Sequence, residues 1–294
     1  RVQETLKPVA VFDRPDGKYI LDMGQNMVGW LSVNLKGKKG KPVSMKFAEL
    51  LQKDGSLYLA NLRTAQVTDI YTPAEDGDFS WQPRFVYHGF RFVEVSGLDY
   101  KPELSAFTGH VIYDEMATTG RFETSNPLVN QIHKNSYWGI RSNYRGMPTD
   151  CPQRDERLGW LGDRATGAYG EAFIFNNAQL YNKWLQDIED SMSPEGSISD
   201  VSPNYWTIYA DDVTWPSAFF YVADMLYRQF GDPCPLSGHE TLDGAYGRGD
   251  HEGLYHDERP VWRLVHASRI ARTDPFQGSC PQDGRRYSQH DCLL

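Results

Sequence analysis

The sequence predicts a multidomain β + α protein in which an antiparallel β-sandwich precedes a helical region. Three observations lead to this prediction. Short strand-like segments fill residues 1 to about 110, an apolar repeat of about four residues replaces them from about residue 120, and 294 residues suffice for two domains. Strands followed by helices, rather than alternating with them, favour separate domains over an interleaved α/β fold.

The N-terminal region has the pattern of a sandwich because short segments rich in Val, Tyr and Phe alternate with turn signals such as Asp54-Gly55. Regular spacing of this kind is typical of antiparallel sandwiches. We interpret Trp30 and Trp81 as side chains that pack in or against the core, with stacking on a sugar as the alternative. The predicted strands are Lys18–Met23, Gly29–Leu35, Val43–Glu49, Gln66–Tyr71 and Phe85–Val95.

Helical periodicity begins after residues 124–127, Thr-Ser-Asn-Pro, where a polar cap precedes an early proline. We expect Thr214 to cap a later helix, Pro216 to lie in its first turn, and Gly231 to end it in the left-handed conformation. The apolar stripes that predict helices are Leu128, Ile132 and Ile140; Leu180, Trp184, Ile188 and Met192; and Trp215, Phe219, Val222 and Leu226.

Composition narrows the classes of partner. A formal net charge of −9 argues against binding nucleic acid through its phosphates, and no membrane partner is expected because no segment approaches the ~20 apolar residues that span a bilayer. The first ten residues lack the apolar run of a signal peptide, so the compartment stays open: periplasmic or extracellular if a signal precedes this segment, cytoplasmic otherwise. Before residue 232 the one cysteine is Cys151, which excludes a disulfide framework there.

Residues 233–294 differ in composition from the rest. All 11 Lys, all 11 Asn and all 7 Met precede them, whereas 5 of the 8 His and 3 of the 4 Cys lie within them. Our hypothesis is that the reading frame shifts near residue 233, and the alternative is a divergent natural extension. In either case we expect the tail to be disordered. The tail's Cys and His lack the spacing of zinc ligands, so no metal is expected.

The residues most informative about chemistry are 149–163, with the sequence TDCPQRDERLGWLGD. Carboxylates alternate here with arginines around a tryptophan. In a sugar site, carboxylates bind hydroxyl groups, an aromatic ring covers the apolar face of the sugar, and one carboxyl group moves a proton. The segment therefore favours a site that handles a sugar.

This segment resembles the catalytic-loop signature of the bacterial α-L-rhamnosidases of glycoside hydrolase family 78. Three further segments, Ile20–Val33, Phe47–Tyr71 and Trp81–Gly97, resemble the β-sandwich domain of that family, and Ala210–Asp232 resembles an early helix of its helical barrel. The resemblance implies an antiparallel β-sandwich followed by the N-terminal part of an (α/α)6 barrel. The expected division is 1–110, 111–232 and the anomalous 233–294.

The resemblance also implies roles for individual residues. Glu156 falls on the general acid, and no metal or organic cofactor is expected. The residues themselves favour structural roles for their neighbours: Asp155 is expected to form an ion pair with the adjacent Arg154, Arg157 and Arg164 could hold the loop, and Cys151 is interpreted as a small buried residue. For Asp212 and Trp215 the alternatives are helix capping and core packing. The expected substrate-binding residues are Asp150, Arg154, Trp160, Asp163, Asp212 and Trp215.

The expected reaction is removal of terminal α-L-rhamnose from a rhamnose-containing glycoside or polysaccharide, with inversion. In the family the second carboxylate lies in the later half of the barrel, beyond the matching residues, and Glu240, Glu252 and Glu258 lie in segments without resemblance. The chain is therefore expected to be weakly active or inactive. Two alternatives are a non-catalytic carbohydrate-binding remnant and an (α/α)6 glycosidase specific for another sugar. The oligomeric state is not indicated.

Overall fold

The computed structural model describes residues 1–210, 213–232 and 235. Strands come first and helices follow, which confirms the predicted fold class. The strands are β1 Val2–Leu6, β2 Ala10–Asp13, β3 Tyr19–Gly37, β4 Val43–Ala48, β5 Thr68–Tyr71, β6 Gly77–Trp81, β7 His88–Ser96 and β8 Phe107–Ile112. The α-helices are α1 Pro127–Arg141, α2 Leu161–Ala165, α3 Ala168–Ala172, α4 Ala178–Asp190 and α5 Ala218–Phe230.

Strand β3 organises the sheet. Its first half pairs with β2 and β7 and its second half with β8 and β6, all antiparallel. The register with β7 shifts between Asp22 and Met27, and Gly24 takes a φ of 72° there, a value that favours glycine. Strand β3 thus pairs with four other strands of a sandwich-like, eight-stranded sheet. The sequence predicted two separate strands, Lys18–Met23 and Gly29–Leu35, in this interval.

Four strands were not predicted individually. Strands β1, β2 and β6 are exposed or half-buried throughout, so they lack the apolar alternation that marks a buried face. Strand β8 does alternate between buried and half-buried positions, but its central buried residue is Gly109. The Met23 and Met27 side chains lie against Gly109, where a Cβ atom would stand 2.8 Å from the Met23 methyl carbon.

The buried residues of the sandwich core come mainly from β3, β4, β7 and β8. Leu31, Phe47, Phe90 and Phe107 are fully buried in it, and Trp81 packs against its edge as predicted. Trp30 lies outside this cluster. Its ring stacks on His110 at 5.5 Å, and its indole N–H donates to Gln82 Oε1 at 3.0 Å.

Helix α1 begins as predicted, because the Asn126 side chain accepts a hydrogen bond from the backbone N–H of Leu128 at 2.9 Å. The predicted apolar stripe, however, does not face a core among the described residues: Leu128 is 66% exposed and Ile132 is 56% exposed. Helix α1 is attached to the sheet by Arg141. This buried guanidinium pairs with Glu4 of β1 and lies 3.5 Å from the centroid of the Trp138 ring.

Helices α4 and α5 form the helical core together with α2 and α3. Trp184 and Ile188 of α4 and Phe219 and Val222 of α5 are buried there, as their spacing predicted. Gly231 ends α5 with a φ of 68°, which is also confirmed.

The predicted start of α5 is wrong. The helix begins at Ala218, and its cap residue is Ser217 rather than Thr214. The backbone carbonyl of Thr214 accepts a hydrogen bond from Ser217 Oγ at 2.7 Å, so residues 214–217 form a separate turn before the helix. Pro216 lies in that turn and not in the first turn of α5.

A buried polar network joins the helices. The Glu171 carboxylate of α3 pairs with Arg164 of α2 and accepts hydrogen bonds at 2.6 Å from the hydroxyl groups of Tyr144 and Tyr181. Burial and the adjacent Glu171 charge raise the pKa values of both tyrosines, which therefore stay neutral donors. Glu171 thereby ties α2, α3 and α4 to the segment that follows α1.

Several expectations fall partly or wholly outside this description. The prediction of a disordered tail concerns residues 233–294, which lie outside the described residues except for Pro235. The change from strands to helices falls between Ile112 and Pro127, and the domain limits at 110 and 232 stay predictions. Within the described part of the chain, no helix combines the length and apolarity needed to cross a bilayer.

The network makes a prediction about stability. Glu171→Gln should lower the free energy of unfolding by about 3–5 kcal/mol, because it leaves the Arg164 charge buried without its counter-charge. Urea unfolding followed by circular dichroism measures this as a lower midpoint. Glu195→Gln, the same change at an exposed position, is the matched control and should stay within about 0.5 kcal/mol of the parent. Equal midpoints for the two variants would contradict the assigned role of Glu171.

Candidate active site

The acid-rich segment forms a loop that is closed by its own hydrogen bonds. The backbone N–H of Asp150 donates to the carbonyl of Leu158 at 2.9 Å, and the N–H of Leu158 donates to Asp150 Oδ1 at 2.8 Å. Arg157 turns the chain with a φ of 61°, a conformation that costs a residue with a Cβ about 1 kcal/mol or more. The two hydrogen bonds between Asp150 and Leu158 therefore close the loop and hold the residues on either side of Glu156.

The closed end of the loop, at Asp150 and Cys151, is buried. The Asp150 side chain is 2% exposed, and burial raises the pKa of its carboxyl group. Beside it lies the buried Cys151, whose pKa is raised to about 11 by burial and then by Asp150. Cys151 is therefore a neutral thiol near pH 7, which agrees with its interpretation as a small buried residue.

Glu156 lies at the rim of the loop between two guanidinium groups. Its side chain is 9% exposed, with Oε1 3.0 Å from Arg63 Nη1 and Oε2 2.6 Å from Arg154 Nε. Arg154 also reaches Asp150, with 3.7 Å between Nη2 and Oδ2. The structure thus brings together three of the predicted site residues, Asp150, Arg154 and Glu156.

The sequence analysis missed Arg63. This residue follows the buried Leu62 in the loop before β5, and it takes a φ of 55°. It is 93 positions from Glu156, so no spacing argument connects the two. The surrounding segment resembled the family's sandwich domain, but nothing in that resemblance assigned the arginine to the acid loop.

Two further contacts attach the loop to the sandwich. Asp155 accepts hydrogen bonds from the hydroxyl and the backbone N–H of Thr64, which lower the pKa of its carboxyl group. Asp155 was expected to pair with Arg154, but Arg154 pairs with Glu156 and Asp150 instead. Arg157 donates to the backbone carbonyl of Tyr87 at 2.9 Å, so it holds the loop, as one interpretation proposed.

A second group of site residues surrounds the start of α2. Trp160 is the residue before the helix, and its ring meets the ring of Trp206 edge to face at 6.0 Å. Asp163 is exposed in the first turn. The Trp215 ring lies against Gly162, so closely that a Cβ atom there would stand 2.5 Å from it. Asp212 lies outside the described residues.

Trp206 is the aromatic residue that the sequence analysis did not include in the site. It is 36% exposed, and its neighbour Tyr205 is 77% exposed. A Tyr-Trp pair in a segment rich in Ser, Pro and Asn is a signal that was available in the sequence. Together the described residues offer the Glu156 carboxyl group, two partly exposed guanidinium groups, the exposed carboxylate of Asp163 and indole rings, which suit the handling of a sugar.

Comparison with known proteins finds two family domains in succession. Residues 12–113 match the bacterial alpha-L-rhamnosidase concanavalin-like domain. Residues 117–239 match the bacterial alpha-L-rhamnosidase 6 hairpin glycosidase domain. Together the two matches include every predicted site residue and Arg63.

Individual relatives agree with the domain matches. An alpha-L-rhamnosidase of Streptomyces avermitilis is 39% identical over 232 residues, which are 79% of this chain and 22% of that protein. One of Formosa agariphila is 40% identical over 218 residues, which are 72% of this chain and 23% of that protein.

Solved structures show the same relationship. The alpha-L-rhamnosidase of Dictyoglumus thermophilum superimposes with a TM-score of 0.80 at 40% identity, covering 84% of this chain and 28% of that one. The Streptomyces avermitilis enzyme complexed with L-rhamnose gives a TM-score of 0.80 at 38% identity, covering 84% of this chain and 24% of that one. The chain thus spans 22% to 28% of the length of these relatives. With its sandwich and helical regions both matched in order, the chain belongs to the bacterial α-L-rhamnosidase family.

Proposed function

We propose that this site supplies the acid half of an inverting hydrolysis of terminal α-L-rhamnosides, with Glu156 as the proton donor. The observation that carries the proposal is the position of Glu156. Its carboxylate lies at the rim of a closed loop, held from two sides by Arg63 and Arg154. The substrate class is supported by the relatives, which are alpha-L-rhamnosidases, one of them solved with L-rhamnose bound.

The proton must move from Glu156 to the glycosidic oxygen as the bond to the sugar breaks. A protonated Glu156 would not keep both of its ion pairs. Arg63 is 49% exposed and Arg154 is 31% exposed, so either guanidinium can turn toward water. We propose that the arriving aglycone displaces Arg63, which lets Glu156 carry the proton that it donates.

Inversion also needs a second carboxylate about 6.5–9.5 Å from the acid, to activate water on the opposite face of the sugar. Asp150 does not fit this role. Its carboxylate oxygen lies within 4.8 Å of that of Glu156, and its side chain is almost fully buried. We therefore assign Asp150 to holding the loop. We propose that the 294-residue chain by itself lacks a general base and is weakly active, since such a group contributes typically ~10²–10⁴-fold.

The start of α2 provides the surface for the sugar. We propose that Trp160 and Trp215 contact the apolar face and the methyl group of L-rhamnose, and that Asp163 accepts hydrogen bonds from its hydroxyl groups. Glycosidases of other specificity share this chemistry, so a panel of L-rhamnosides, L-fucosides and L-mannosides separates them.

The second candidate function is carbohydrate binding without catalysis. The observation that favours it is the exposed pair Tyr205 and Trp206, of which Trp206 meets the ring of Trp160 edge to face. A binding remnant would hold L-rhamnose but would not cleave any rhamnoside, even when an external nucleophile replaces the missing base.

Chemical rescue tests the proposal on the chain as it exists. With 4-nitrophenyl α-L-rhamnopyranoside the chain should turn over slowly, and sodium azide should raise the rate because the anion attacks without a base. The product should be β-L-rhamnosyl azide, identified by proton NMR, because attack comes from the face opposite Glu156. Formation of the α-azide would contradict inversion.

The role of Glu156 is tested with two leaving groups in the same azide reaction. Glu156→Gln should slow cleavage of phenyl rhamnoside by ~10²–10⁴-fold, because phenolate leaves poorly without a proton. Cleavage of the 4-nitrophenyl compound should fall far less. Glu195→Gln is the matched control and should react like the parent. If Glu156→Gln slowed cleavage of both substrates equally, the result would argue against proton donation by Glu156. If the parent bound L-rhamnose but cleaved neither substrate in azide, the result would favour carbohydrate binding without catalysis.

The aromatic surface is tested through Gly162. Gly162→Ala inserts a methyl group against the Trp215 ring and should displace it, lowering stability by about 1–3 kcal/mol and weakening L-rhamnose binding. Gly170→Ala in α3 meets no atom within 4 Å and is the matched control, expected to be neutral or slightly stabilising. Binding is measured by titration with L-rhamnose, followed by tryptophan fluorescence. If both variants bound L-rhamnose as tightly as the parent, the assignment of the aromatic surface would be contradicted.

A further inference from the structure

Two segments of the sandwich contact the acid loop, and one buried side-chain contact joins them. Asp69 of β5 and His88 of β7 are both buried, with 2.9 Å between Asp69 Oδ1 and His88 Nε2. Strand β4 lies between β5 and β7 in the sheet, so the two strands are joined here through side chains. We propose that Asp69 and His88 are positioning residues for proton transfer, which hold the segments that contact the acid loop.

His88 lies between two residues that contact the acid loop directly. The backbone carbonyl of Tyr87 accepts a hydrogen bond from Arg157 Nη1 at 2.9 Å. On the other side of His88, a Cβ atom at Gly89 would stand 3.0 Å from the Cβ atom of Gln153, so the backbone of β7 packs against the loop there. A movement of this part of β7 would therefore displace both ends of the stretch that carries the proton donor.

The segment before β5 is strained, and Asp69 lies just beyond it. Arg63 and Val67 take φ values of 55° and 37°. This region is unfavourable for residues with a Cβ atom, above all for a β-branched residue such as valine, so it persists only where the surrounding structure holds the chain. The Arg63 side chain reaches Glu156, and Thr64 binds the acid before it. The strain thus lies where the sandwich contacts the proton donor.

The core residue Phe47 contacts both segments. Its backbone N–H donates to the carbonyl of Val67 at 3.0 Å, and its ring stacks on the ring of His88 with 4.3 Å between the centroids. The other polar side-chain atoms of the pair, Asp69 Oδ2 and His88 Nδ1, are buried without a hydrogen-bond partner among the described residues. Each side chain therefore depends on the other, because loss of one leaves the other buried and unpaired.

Position is important because a proton donor must come within hydrogen-bonding reach of the glycosidic oxygen, and a displacement of about 1 Å can slow a reaction ~10²-fold. This inference rests on the proposed role of Glu156 as the proton donor. Asp69 and His88 act through the acid loop and do not contact the sugar. Their loss should therefore impair proton donation more than any other step.

The test is the ratio of the cleavage rates of 4-nitrophenyl and phenyl rhamnoside by the full chain in azide. A variant that only lowers the folded fraction reduces both rates equally and leaves this ratio unchanged. His88→Leu should raise the ratio roughly tenfold or more, because a misplaced acid slows departure of phenolate selectively. His88→Gln retains an amide N–H near the position of Nε2 and should keep the ratio of the parent.

Two further variants control for lost stability. Leu35→Ala, a change at a buried position of the same sandwich core, should leave the ratio unchanged. Replacing both Asp69 and His88 by leucine leaves no buried polar group without its partner, so this double variant is used if His88→Leu does not fold. It should also raise the ratio, because an apolar contact lacks the directional hydrogen bond. Circular dichroism measures folding.

Hydrogen exchange gives a readout that needs no turnover. The amides of Asp150 and Leu158, which close the acid loop, should exchange faster in His88→Leu than in Leu35→Ala. Equal exchange in these two variants would overturn the inference, as would an unchanged ratio in a folded variant that lacks the pair. If the parent cleaves no rhamnoside, or Glu156→Gln leaves the ratio unchanged, the proposed function fails. Faster exchange in His88→Leu would then still support the pair as the support of the loop.

Discussion

The interaction on which the rest of the structure depends is the buried contact between Glu171 and Arg164. Arg164 lies in α2, directly after the acid loop, and Tyr144, which precedes that loop, also binds Glu171. Both ends of the loop therefore converge on one carboxylate. Because this carboxylate is buried and binds a cation and two phenols, it fixes the positions of both ends of the loop.

The β-sandwich contributes directly to the site, although its own core is separate. Arg63 reaches Glu156, Thr64 binds Asp155, and the carbonyl of Tyr87 accepts from Arg157. Three successive residues of the acid loop thus each have a partner on the sandwich. A helical domain without the sandwich would lose one of the two cations that hold Glu156, which gives a physical reason for the two domains to occur together.

Charge balance decides what Glu156 can do. Arg63, Arg154 and the neighbouring Asp150 surround it, and both guanidinium groups are partly exposed, so turning them toward water would leave the carboxylate unpaired. A proton donor needs this adjustability, since it must gain and lose a proton during each reaction.

The sequence alone determined the order of the two regions, the helical stripes of α4 and α5, and the acid loop with Glu156, because periodicity and motifs are local properties. It did not determine that β3 is one continuous strand, that Leu128 and Ile132 of α1 are exposed, or that Arg63 is a partner of Glu156. These depend on contacts between residues far apart in the chain. The tertiary structure decided them, because packing of the loop before β5 against the acid loop sets which charges meet.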